Sequence, residues 1–379
     1  MNRLARALVE RIKTEGPLPF AEYMRVALYD SQDGYYRSGS ERTGWRGDFV
    51  TSPEIDPAFG ALWARAFEGI WIDLDRPETF LVVELGPGEG GFAHALSGAA
   101  GGDFARALQL HLVELDPERR KRQEALLADL GRIDWSESIE EVEPFTDGIV
   151  FANEVLDNQP VHVLRNRAGG FQELHVGLAG EQLVEVWLDS TDEELNERAF
   201  ESDRPAGVEI EVSPDAEDLA LRCARLAERG GAIFVDYGLE SSSGDRARTT
   251  LASYSSAGAG DRTIQDPGTV DLTAHVDWTA IGLACSQESG ISTAGPAAQR
   301  DVLIQLGARE IDEELKAEHQ SFLDSGRGAD AVRSLSRRQA LRALLDPGGL
   351  GGLQVFSALR GLPVIPAWLI EKDRPENRS

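Results

Sequence analysis

Cysteine is scarce in this chain of 379 residues. Its two cysteines, Cys223 and Cys285, are far apart in the sequence, without a C-x-x-C pair or a nearby histidine cluster. This distribution excludes a disulfide framework, argues against a structural zinc site and favours a reducing compartment. We therefore expect a cytoplasmic protein that holds no metal.

Basic residues are also scarce. The chain carries 38 lysines and arginines against 65 aspartates and glutamates, which gives a formal net charge of −27. An acidic surface repels phosphate backbones, so we expect no nucleic-acid partner, whereas a basic protein or peptide is a suitable one. Solubility alone would also account for this surface.

Long apolar runs are missing as well, since none approaches the roughly 20 residues that cross a bilayer. No membrane association is therefore expected. The first 16 residues are amphipathic, but they include Glu10 and Glu15, lack serine, and are followed by Pro17. We interpret them as an ordinary first helix and not as a transit peptide.

The order of the apolar segments predicts an α/β fold. Residues 1–75 show helical periodicity around a polar loop, and apolar strands then alternate with helices. Continuous apolar strands in this order are typical of a mostly parallel sheet covered on both faces. We predict an N-terminal helical region over 1–75 that covers the ligand site, and a main domain over 76–379. Insertions of hairpins and loops are expected at about 160–212 and 239–345, with the Ser/Gly/Ala-rich segment 239–262 as a lid.

A glycine-rich turn follows the first strand of that domain, in the segment FLVVELGPGEGGFAHAL at residues 80–96. Gly86, Gly88 and Gly91 fit the dinucleotide fingerprint G-x-G-x-x-G. Gly86, Gly88 and Gly90 equally fit the acidic-x-G-x-G-x-G turn of methyltransferases that bind S-adenosylmethionine. The glycine spacing alone therefore leaves two cofactors open.

The residues inside the turn favour one of them. Pro87 removes an amide donor that a pyrophosphate would use, and Glu89 places a carboxylate at the helix start. S-adenosylmethionine has no phosphate, and its sulfonium and ammonium make nearby carboxylates favourable. The next strand ends at Glu114, where a carboxylate accepts hydrogen bonds from ribose hydroxyls. We predict S-adenosylmethionine as the cofactor, bound by Glu84, Gly86, Gly88, Gly90 and Glu114.

The chain resembles the MidA-like methyltransferase family over nearly its whole length. The similar blocks, in the family's order, include GDFVTSPEIDPAFG, VELGPGEG, HLVELDPERRKRQ, FANEVLDNQPVHV, FVDYG and DPGTVDLTAHVDW. The resemblance implies a class I methyltransferase fold, with a Rossmann-like sheet, and methylation of protein arginine. It also implies that the block 47–54 folds over the cofactor, which adds the candidates Asp48, Thr51, Ser52 and Glu54.

Two departures from the family pattern concern the methyl acceptor. The segment TLASYSSA at 250–257 lacks both arginines of the corresponding family loop, and Gln354 stands where the family has a lysine. These changes leave the predicted cofactor residues intact and put the usual substrate in question.

Polar residues follow two further strands, in FANEVLDN and FVDYG. An arginine side chain is always protonated, so a site that methylates it needs carboxylates that bind and orient the guanidinium. We predict Asn153 at the cofactor and Glu154, Asp157 and Asp236 at the acceptor. Each acid could instead cap a helix or bind backbone amides.

His275 in DLTAHVDW is the histidine that we predict at the acceptor site, as a base or a substrate contact. The alternative is that Asp271 and Thr273 cap a helix beginning at Ala274, with His275 packed in its first turn. Trp45, Tyr35 and Tyr36 could line the mouth of the site, although an aromatic core position is the safer interpretation.

Three functions remain open at this point. The leading hypothesis is a protein arginine methyltransferase whose substrate is a protein with an exposed arginine. The alternatives are a small-molecule O- or N-methyltransferase and a non-catalytic S-adenosylmethionine-binding assembly factor.

Overall fold

The computed structural model describes residues 1–37, 52–131, 133–167, 169–201, 207–240, 249–255 and 258–369. Two predicted cofactor residues, Asp48 and Thr51, lie outside these ranges, as do residues 241–248 and 256–257 of the predicted lid. Within the described ranges, no helix is long and apolar enough to cross a membrane.

The strands and helices are numbered in chain order. The strands are β1 (Leu18–Pro19), β2 (Phe80–Leu85), β3 (Leu108–Val113), β4 (Ile133–Ser136), β5 (Phe145–Asn153), β6 (His162–Arg167), β7 (Gly170–Ala179), β8 (Gln182–Asp189), β9 (Glu209–Val212), β10 (Ala227–Asp236), β11 (Gly238–Leu239), β12 (Ala252–Ser255), β13 (Gly258–Asp261), β14 (Asp271–Thr273), β15 (Val276–Asp277), β16 (Ile291–Ala298) and β17 (Gln354–Arg360). The helices are α1 (Arg3–Glu15), α2 (Phe20–Tyr29), α3 (Ser52–Ile55), α4 (Ala58–Asp73), α5 (Gly91–Ala99), α6 (Gly102–Ala107), α7 (Pro117–Leu126), α8 (Glu193–Glu201), α9 (Pro214–Leu226), α10 (Trp278–Ser286), α11 (Gln299–Gln305), α12 (Ala308–Asp324) and α13 (Gly328–Leu344).

Seven strands form the main sheet, in the order β4-β3-β2-β5-β10-β17-β16. The first five of these pair in parallel, and β17 runs antiparallel to both of its neighbours. The parallel strands end at the same edge, so the residues that follow β2, β3, β5 and β10 come together there. The predicted α/β class is confirmed, with a mixed sheet in which most strands are parallel.

Helices cover both faces of the main sheet because its strands are apolar on both sides. Adjacent residues of β2, Val82 and Val83, belong to two different buried clusters. On one face, α4 and α5 pack against β5, where the rings of Phe92 and Phe151 stack with centroids 4.5 Å apart. On the other face, α9 and α10 bury Trp278. The sheet is therefore a rigid support for the side chains at its edge.

Residues 160–212 build a second sheet, in which the order is β1-β7-β6-β9 and β8 pairs with β7. The N-terminal strand β1 joins it through the pairing of Leu18 with Val176. Side chains of α2, including Phe20 and Tyr23, share a buried cluster with this sheet and with Leu272 of β14. The first two helices are thus attached to the inserted strands, and this attachment brings the end of α2 toward β14.

Residues 239–345 include a small separate sheet, an edge strand of the main sheet and a pair of helices. β12, β13 and β14 form a small antiparallel sheet, whereas β16 is the edge strand of the main sheet. α12 and α13 pack against each other and contact α4. The predicted division at residue 75 and the bounds of the insertions stay predictions.

Candidate functional site

The glycine turn connects β2 to α5. Gly86, Gly88 and Gly90 have φ values of 61°, 55° and 84°. Residues with a Cβ rarely adopt this left-handed region, so the turn favours glycine at all three positions. A Cβ on Gly88 would lie 3.7 Å from Oε1 of Glu54. The glycines therefore keep a backbone cradle open at the edge of the sheet.

Glu84 faces a cleft beside this turn. The cleft has a volume of about 410 Å³, and Glu114 and Asn153 also line it. The side chain of Glu84 is buried, and its Oε2 has no hydrogen-bond partner among the described residues. Burial and the nearby Glu114 raise the pKa of Glu84 to about 8. An ammonium group satisfies such a carboxylate, and S-adenosylmethionine carries one, so these residues fit that cofactor.

Glu114 lies at the same edge, just after β3. Its carboxylate accepts hydrogen bonds from the backbone N–H of Asp116 at 2.8 Å and from the side-chain amide of Gln123 at 3.0 Å. Gln123 also donates to the carbonyl oxygen of Gly88 at 2.7 Å. Burial raises the pKa of Glu114, even though Arg119 lies 3.9 Å away. Gln123, which the sequence analysis did not identify, thus joins the predicted ribose acid to the glycine turn.

Glu89 of the glycine turn is paired with arginines of α7. Arg122 donates to both of its carboxylate oxygens, at 2.9 and 3.0 Å, and Arg119 lies 3.8 Å away. The Arg122 guanidinium lowers the pKa of Glu89. The glycine turn itself contains no cation, but α7 supplies one, so Glu89 fixes this helix to the turn.

The short helix α3 lies over the glycine turn. Glu54 lines the cofactor cleft. Ser52 is fully buried, and its hydroxyl accepts a hydrogen bond from the side-chain amide of Gln299 at 3.1 Å. The backbone N–H of Ser52 donates to the carboxylate of Glu154. Ser52 therefore contacts the site through its backbone, whereas its side chain anchors α3.

The chain turns sharply where β5 ends. Glu154 has a φ of 55°, a left-handed conformation that costs a non-glycine residue about 1–3 kcal/mol. Its N–H donates to the carbonyl of Val235 at 2.8 Å, and the side-chain amide of Asn153 donates to its Oε1 at 2.9 Å. Burial and the charge of Asp236 raise the pKa of Glu154 to about 8. The turn places this carboxylate between the cofactor cleft and a second, smaller pocket.

Asp236 stabilises this turn from behind. One of its oxygens accepts hydrogen bonds from the backbone N–H groups of Val155, Leu156 and Asp157, at 3.1, 2.9 and 3.2 Å. The other accepts from the N–H of Tyr237 at 2.8 Å. Asp236 is buried and lines neither the cleft nor the smaller pocket. The geometry gives it a positioning role in place of the acceptor contact expected from the sequence.

The smaller pocket has a volume of about 90 Å³. Because Glu154 and Asp157, which the sequence predicts at the acceptor, line it, we call it the acceptor pocket below. Carboxylates and aromatic rings line it, from Glu154, Asp157, Asp271, Tyr237 and Tyr254. Oδ1 of Asp157 is buried and has no hydrogen-bond partner in the described part of the chain. Among the described residues that line the pocket, none is a lysine or an arginine.

The acids around the acceptor pocket repel one another. Burial, together with the charges of Asp236, Asp271 and Glu154, raises the pKa of Asp157 well above its usual range. Burial also raises the pKa of Asp236 to about 7, despite its backbone hydrogen bonds. Buried carboxylates without a counterion are costly. A cation that enters the pocket would therefore be strongly stabilised.

His275 lies at the rim of the acceptor pocket, with an exposed ring. The ring stacks on Tyr237, with centroids 6.2 Å apart. The predicted alternative, a helix from Ala274, is wrong, because the helix begins at Trp278 with Asp277 as its N-cap. His275 instead lies in the connection between β14 and β15.

Sequence analysis missed most of the residues that reach the site from distant segments. The hydroxyl of Tyr36 donates to both oxygens of Asp271, at 2.9 and 3.0 Å. The side-chain amide of Asn158 donates to the same carboxylate at 3.1 Å, and the hydroxyl of Tyr29 donates to the Asn158 carbonyl at 3.2 Å. Tyr29, Tyr36 and Asn158 also line the cofactor cleft. Of these residues, the sequence analysis named only Tyr36, as one of three aromatic residues that could line a substrate mouth. Of the other two, Tyr35 is buried in the core and Trp45 lies outside the described residues.

Comparison with known proteins decides the family. Residues 62–297, more than half of the chain, match the family model described as S-adenosyl-L-methionine-dependent methyltransferase. The chain belongs to this methyltransferase family. The matched range contains the glycine turn, Glu114, the turn at Glu154 and Asp271. The methyltransferase uses S-adenosylmethionine as its cofactor, as predicted.

Curated relatives extend the likeness beyond the matched range. The mouse (Mus musculus) protein arginine methyltransferase NDUFAF7, mitochondrial, is 29% identical over 340 residues, which cover 83% of this methyltransferase and 75% of the relative. The human (Homo sapiens) protein of the same name is 28% identical over 397 residues, which cover 94% and 83% of the two chains. The resemblance to the MidA-like family is confirmed.

Two solved structures share the fold of the methyltransferase. A protein from Burkholderia thailandensis bound to S-adenosyl-homocysteine has a TM-score of 0.85 and 28% identity, over 98% of this chain and 95% of that chain. A native structure from the same organism has a TM-score of 0.80 and 26% identity, over 97% and 94%. S-adenosyl-homocysteine is what remains of the cofactor after methyl transfer.

The expected cytoplasmic location is contradicted by these comparisons, because the curated relatives are mitochondrial proteins. The expectation relied on the scarcity of cysteine. Few cysteines exclude a disulfide framework, but they do not distinguish one reducing compartment from another.

Proposed function

We propose that this methyltransferase methylates an arginine side chain of another protein. The observation that carries the proposal is the acceptor pocket, where Glu154 and Asp157 face a cavity that no described lysine or arginine lines. A guanidinium is always charged and offers five N–H donors in one plane, which suits a site built from carboxylates. The names of the curated relatives, which are protein arginine methyltransferases, support the same acceptor.

The main sheet is proposed to be a class I methyltransferase sheet of the Rossmann-like kind. In its order, β4-β3-β2-β5-β10-β17-β16, the parallel strands run outward in chain order, with β3 and β4 on one side of β2 and β10 beside β5. The chain thus reverses its direction of winding between these two strands, and ligands bind beside such a switch point. The glycine turn after β2 and the turn after β5 flank it.

The cofactor supplies an electrophilic methyl group carried on a sulfonium. Glu84 is proposed to bind its ammonium, and Glu114 its ribose hydroxyls, because both carboxylates are buried at the cleft. The glycines of the turn let the ligand approach the backbone, and Asn153 and Glu54 form the walls. Asp48, Thr51 and the backbone of Ser52 remain proposed contacts.

Glu154 and Asp157 are proposed to hold the guanidinium and to direct one nitrogen toward the cofactor cleft. As that nitrogen gains a carbon, it loses a proton, and Glu154 accepts it. A carboxylate with a pKa of about 8 is a suitable base near neutral pH. Asp236 holds both acids in place through the backbone of the turn, and His275 contacts the substrate at the rim.

The two positions at which the family loop has arginine do not place a charged side chain in the pocket of this protein. Ala252 and Ser255, which replace the two family arginines, are not among the residues that line it, whereas Tyr254 is. Among its described residues, the altered loop therefore contributes no cation to the lining of the pocket, which supports a cationic acceptor.

A groove of about 500 Å³ meets the acceptor pocket, with Ala274 and His275 lining both. Acidic side chains, including Glu194, Glu197 and Asp218, line the groove. Acids outnumber the one described arginine, Arg198, in this groove. An acidic groove beside the pocket suits the peptide chain on either side of an arginine, and favours a protein over a small metabolite.

The test uses S-adenosylmethionine labelled in the methyl group. The full-length enzyme is incubated with total protein and, separately, with a metabolite extract from the same cells. After acid hydrolysis, we expect label in methylated arginines of the protein sample. Label that appears only in metabolites, or in protein residues other than arginine, would contradict the proposal.

A further inference from the structure

Glu211 lies where the acidic groove meets the acceptor pocket. It belongs to β9 and lines the groove, and its carboxylate accepts four hydrogen bonds from residues 249–251. The hydroxyls of Thr249 and Thr250 donate at 2.6 and 2.7 Å, and the backbone N–H groups of Thr250 and Leu251 donate at 2.8 and 3.0 Å. A carboxylate has about four acceptor positions, so Glu211 fixes this segment through both of its oxygens.

Thr250 connects Glu211 to the rim of the acceptor pocket. Its hydroxyl hydrogen is donated to Glu211, and a lone pair of the same oxygen accepts the backbone N–H of His275 at 2.9 Å. Thr250 and His275 both line the pocket, and the ring of His275 stacks on Tyr237, which lines it too. A chain of hydrogen bonds therefore runs from an acid in the groove to the rim of the pocket.

This chain crosses the boundary between two cavities. Within the described part of the chain, Ala274 and His275 are the residues that line both the groove and the acceptor pocket. A ligand that occupies both cavities must pass them. An arginine within a polypeptide is such a ligand, because its backbone continues into the groove while its guanidinium lies in the pocket. The boundary formed by Thr250, Ala274 and His275 is called the threshold below.

Glu209 provides a contrast on the same strand. It lies two residues before Glu211 and therefore on the same face of β9. Both of its oxygens accept hydrogen bonds from Arg262, at 2.5 and 3.1 Å, and Arg262 also donates to Glu185 at 2.7 and 3.0 Å. Neither Glu209 nor Arg262 is among the described residues that line the groove or the acceptor pocket. β9 thus anchors residues on either side of β12 and β13, but only the anchor at Glu211 reaches the threshold.

We propose that Glu211 is a positioning residue for the methyl acceptor. Through Thr250 it fixes the threshold, and the threshold selects arginine within a polypeptide over small guanidinium compounds. This inference rests on the proposed arginine substrate. Glu211 is not among the described residues that line the acceptor pocket, so its loss should affect binding of a guanidinium alone far less than binding of the peptide groups beside it.

The experiment compares two ligands of the full-length protein saturated with S-adenosyl-homocysteine. Nα-acetyl-arginine N-methylamide carries the guanidinium and both flanking peptide groups, whereas ethylguanidinium carries the guanidinium alone. We expect the wild type to bind the blocked arginine at least about tenfold more tightly. In Glu211→Ala, the affinity for the blocked arginine should fall about tenfold, and that for ethylguanidinium should stay within about twofold. Glu209→Ala is the matched control and should keep both affinities within about twofold, because Arg262 retains Glu185.

A second pair of variants breaks the chain at Thr250. Thr250→Val removes the hydroxyl and keeps the branched shape, so it should repeat the selective loss seen in Glu211→Ala. Thr250→Ser restores the hydroxyl and should lose much less. A loss of stability alone would lower both affinities and would not change their ratio. If Glu211→Ala does not fold, the Thr250 pair decides by the same ratio.

The outcomes separate this inference from the proposed function. If Glu211→Ala loses both ligands alike, or keeps its affinity for the blocked arginine as Glu209→Ala does, the inference is overturned, although arginine as the acceptor still stands. A wild type that binds ethylguanidinium as tightly as the blocked arginine also overturns the inference alone. If the wild type binds neither ligand, the proposed function loses its support and the inference is overturned with it.

Discussion

The cofactor cleft and the acceptor pocket share the Glu154 turn, but they differ in the number of arginines that lie near their acidic side chains. At the cofactor end, Arg122 pairs with Glu89 and Arg119 lies within 3.9 Å of Glu114. At the acceptor end, Asp157 and Asp271 border a cavity without a lysine or arginine among its described lining residues. At the cofactor end the protein thus supplies arginines beside two of the acids, although one oxygen of Glu84 has no described partner there, whereas no described lysine or arginine lines the acceptor pocket.

The two regions also differ in how the chain builds them. In the cofactor cleft, the glycine turn and Glu114 come from short segments that directly follow β2 and β3, although Tyr36 and Asn158 also line it. The acceptor pocket joins the turn after β5, Tyr237 after β10, and residues of the small sheet. A change in the glycine turn should therefore affect one ligand, and a change in the pocket the other.

The largest effect is expected from a substitution in the glycine turn that prevents cofactor binding. In Gly88→Val, a branched side chain would have to adopt a φ of 55° beside Glu54. We expect the affinity for S-adenosylmethionine to fall at least about a hundredfold, as measured by calorimetry. Gly98→Val in the exposed part of α5, where a Cβ meets nothing within 4 Å, is the control and should keep its affinity. Equal affinity in both variants would show that the turn is only structural.

A smaller effect is expected at the boundary of the two regions. Glu154→Gln keeps the shape of the side chain but removes the base, so kcat should fall about 10²–10⁴-fold. Because the active form of Glu154 is unprotonated, kcat/KM of the wild type should rise with pH up to about 8. That rise should shrink in Glu154→Gln and persist in Glu143→Gln, an exposed acid before β5. A wild-type profile that is already flat above pH 5 would exclude Glu154 as the base.

The smallest effect concerns stability. The folded protein keeps a proton on Glu84 up to about pH 8, whereas the unfolded chain loses it near pH 4.5. The free energy of unfolding should therefore fall as pH rises through this window, by on the order of 1–3 kcal/mol from this residue. Urea unfolding at pH 5.5 and 7.5 should show a smaller fall in Glu84→Gln than in the exposed control Glu78→Gln. An equal fall in both variants would mean that Glu84 is ionised in the fold.

The contrast between the regions also explains which parts of the site the sequence predicts. The glycine turn and Glu114 are local features, since each follows a strand within a few residues, and the structure brings both to one cleft. The contact between Tyr36 and Asp271 joins residues 235 positions apart. This contact forms because β1 joins the inserted sheet and brings α2 toward β14. A local sequence pattern cannot predict such a long-range arrangement.

Asp236 shows a different limit. A carboxylate at the end of a strand can face a ligand or bind nearby amides, and its sequence context is the same in both cases. The choice here depends on the left-handed backbone at Glu154, which points the following N–H groups toward Asp236. Such a conformation is unusual for glutamate and could not be predicted from residue preferences.

The most direct test of the account compares Glu114→Gln with Asp157→Asn, in one series of binding and turnover measurements. Glu114→Gln should weaken S-adenosyl-homocysteine binding by about ten- to a hundredfold, because charge-assisted hydrogen bonds are lost, and should transfer methyl groups to protein arginine normally at saturating cofactor. Asp157→Asn should keep the affinity for S-adenosyl-homocysteine within about threefold and lose at least about a hundredfold in turnover. If Asp157→Asn lost cofactor affinity as Glu114→Gln does, or methylated arginine at the wild-type rate, the division into a cofactor cleft and a cationic acceptor pocket would be contradicted.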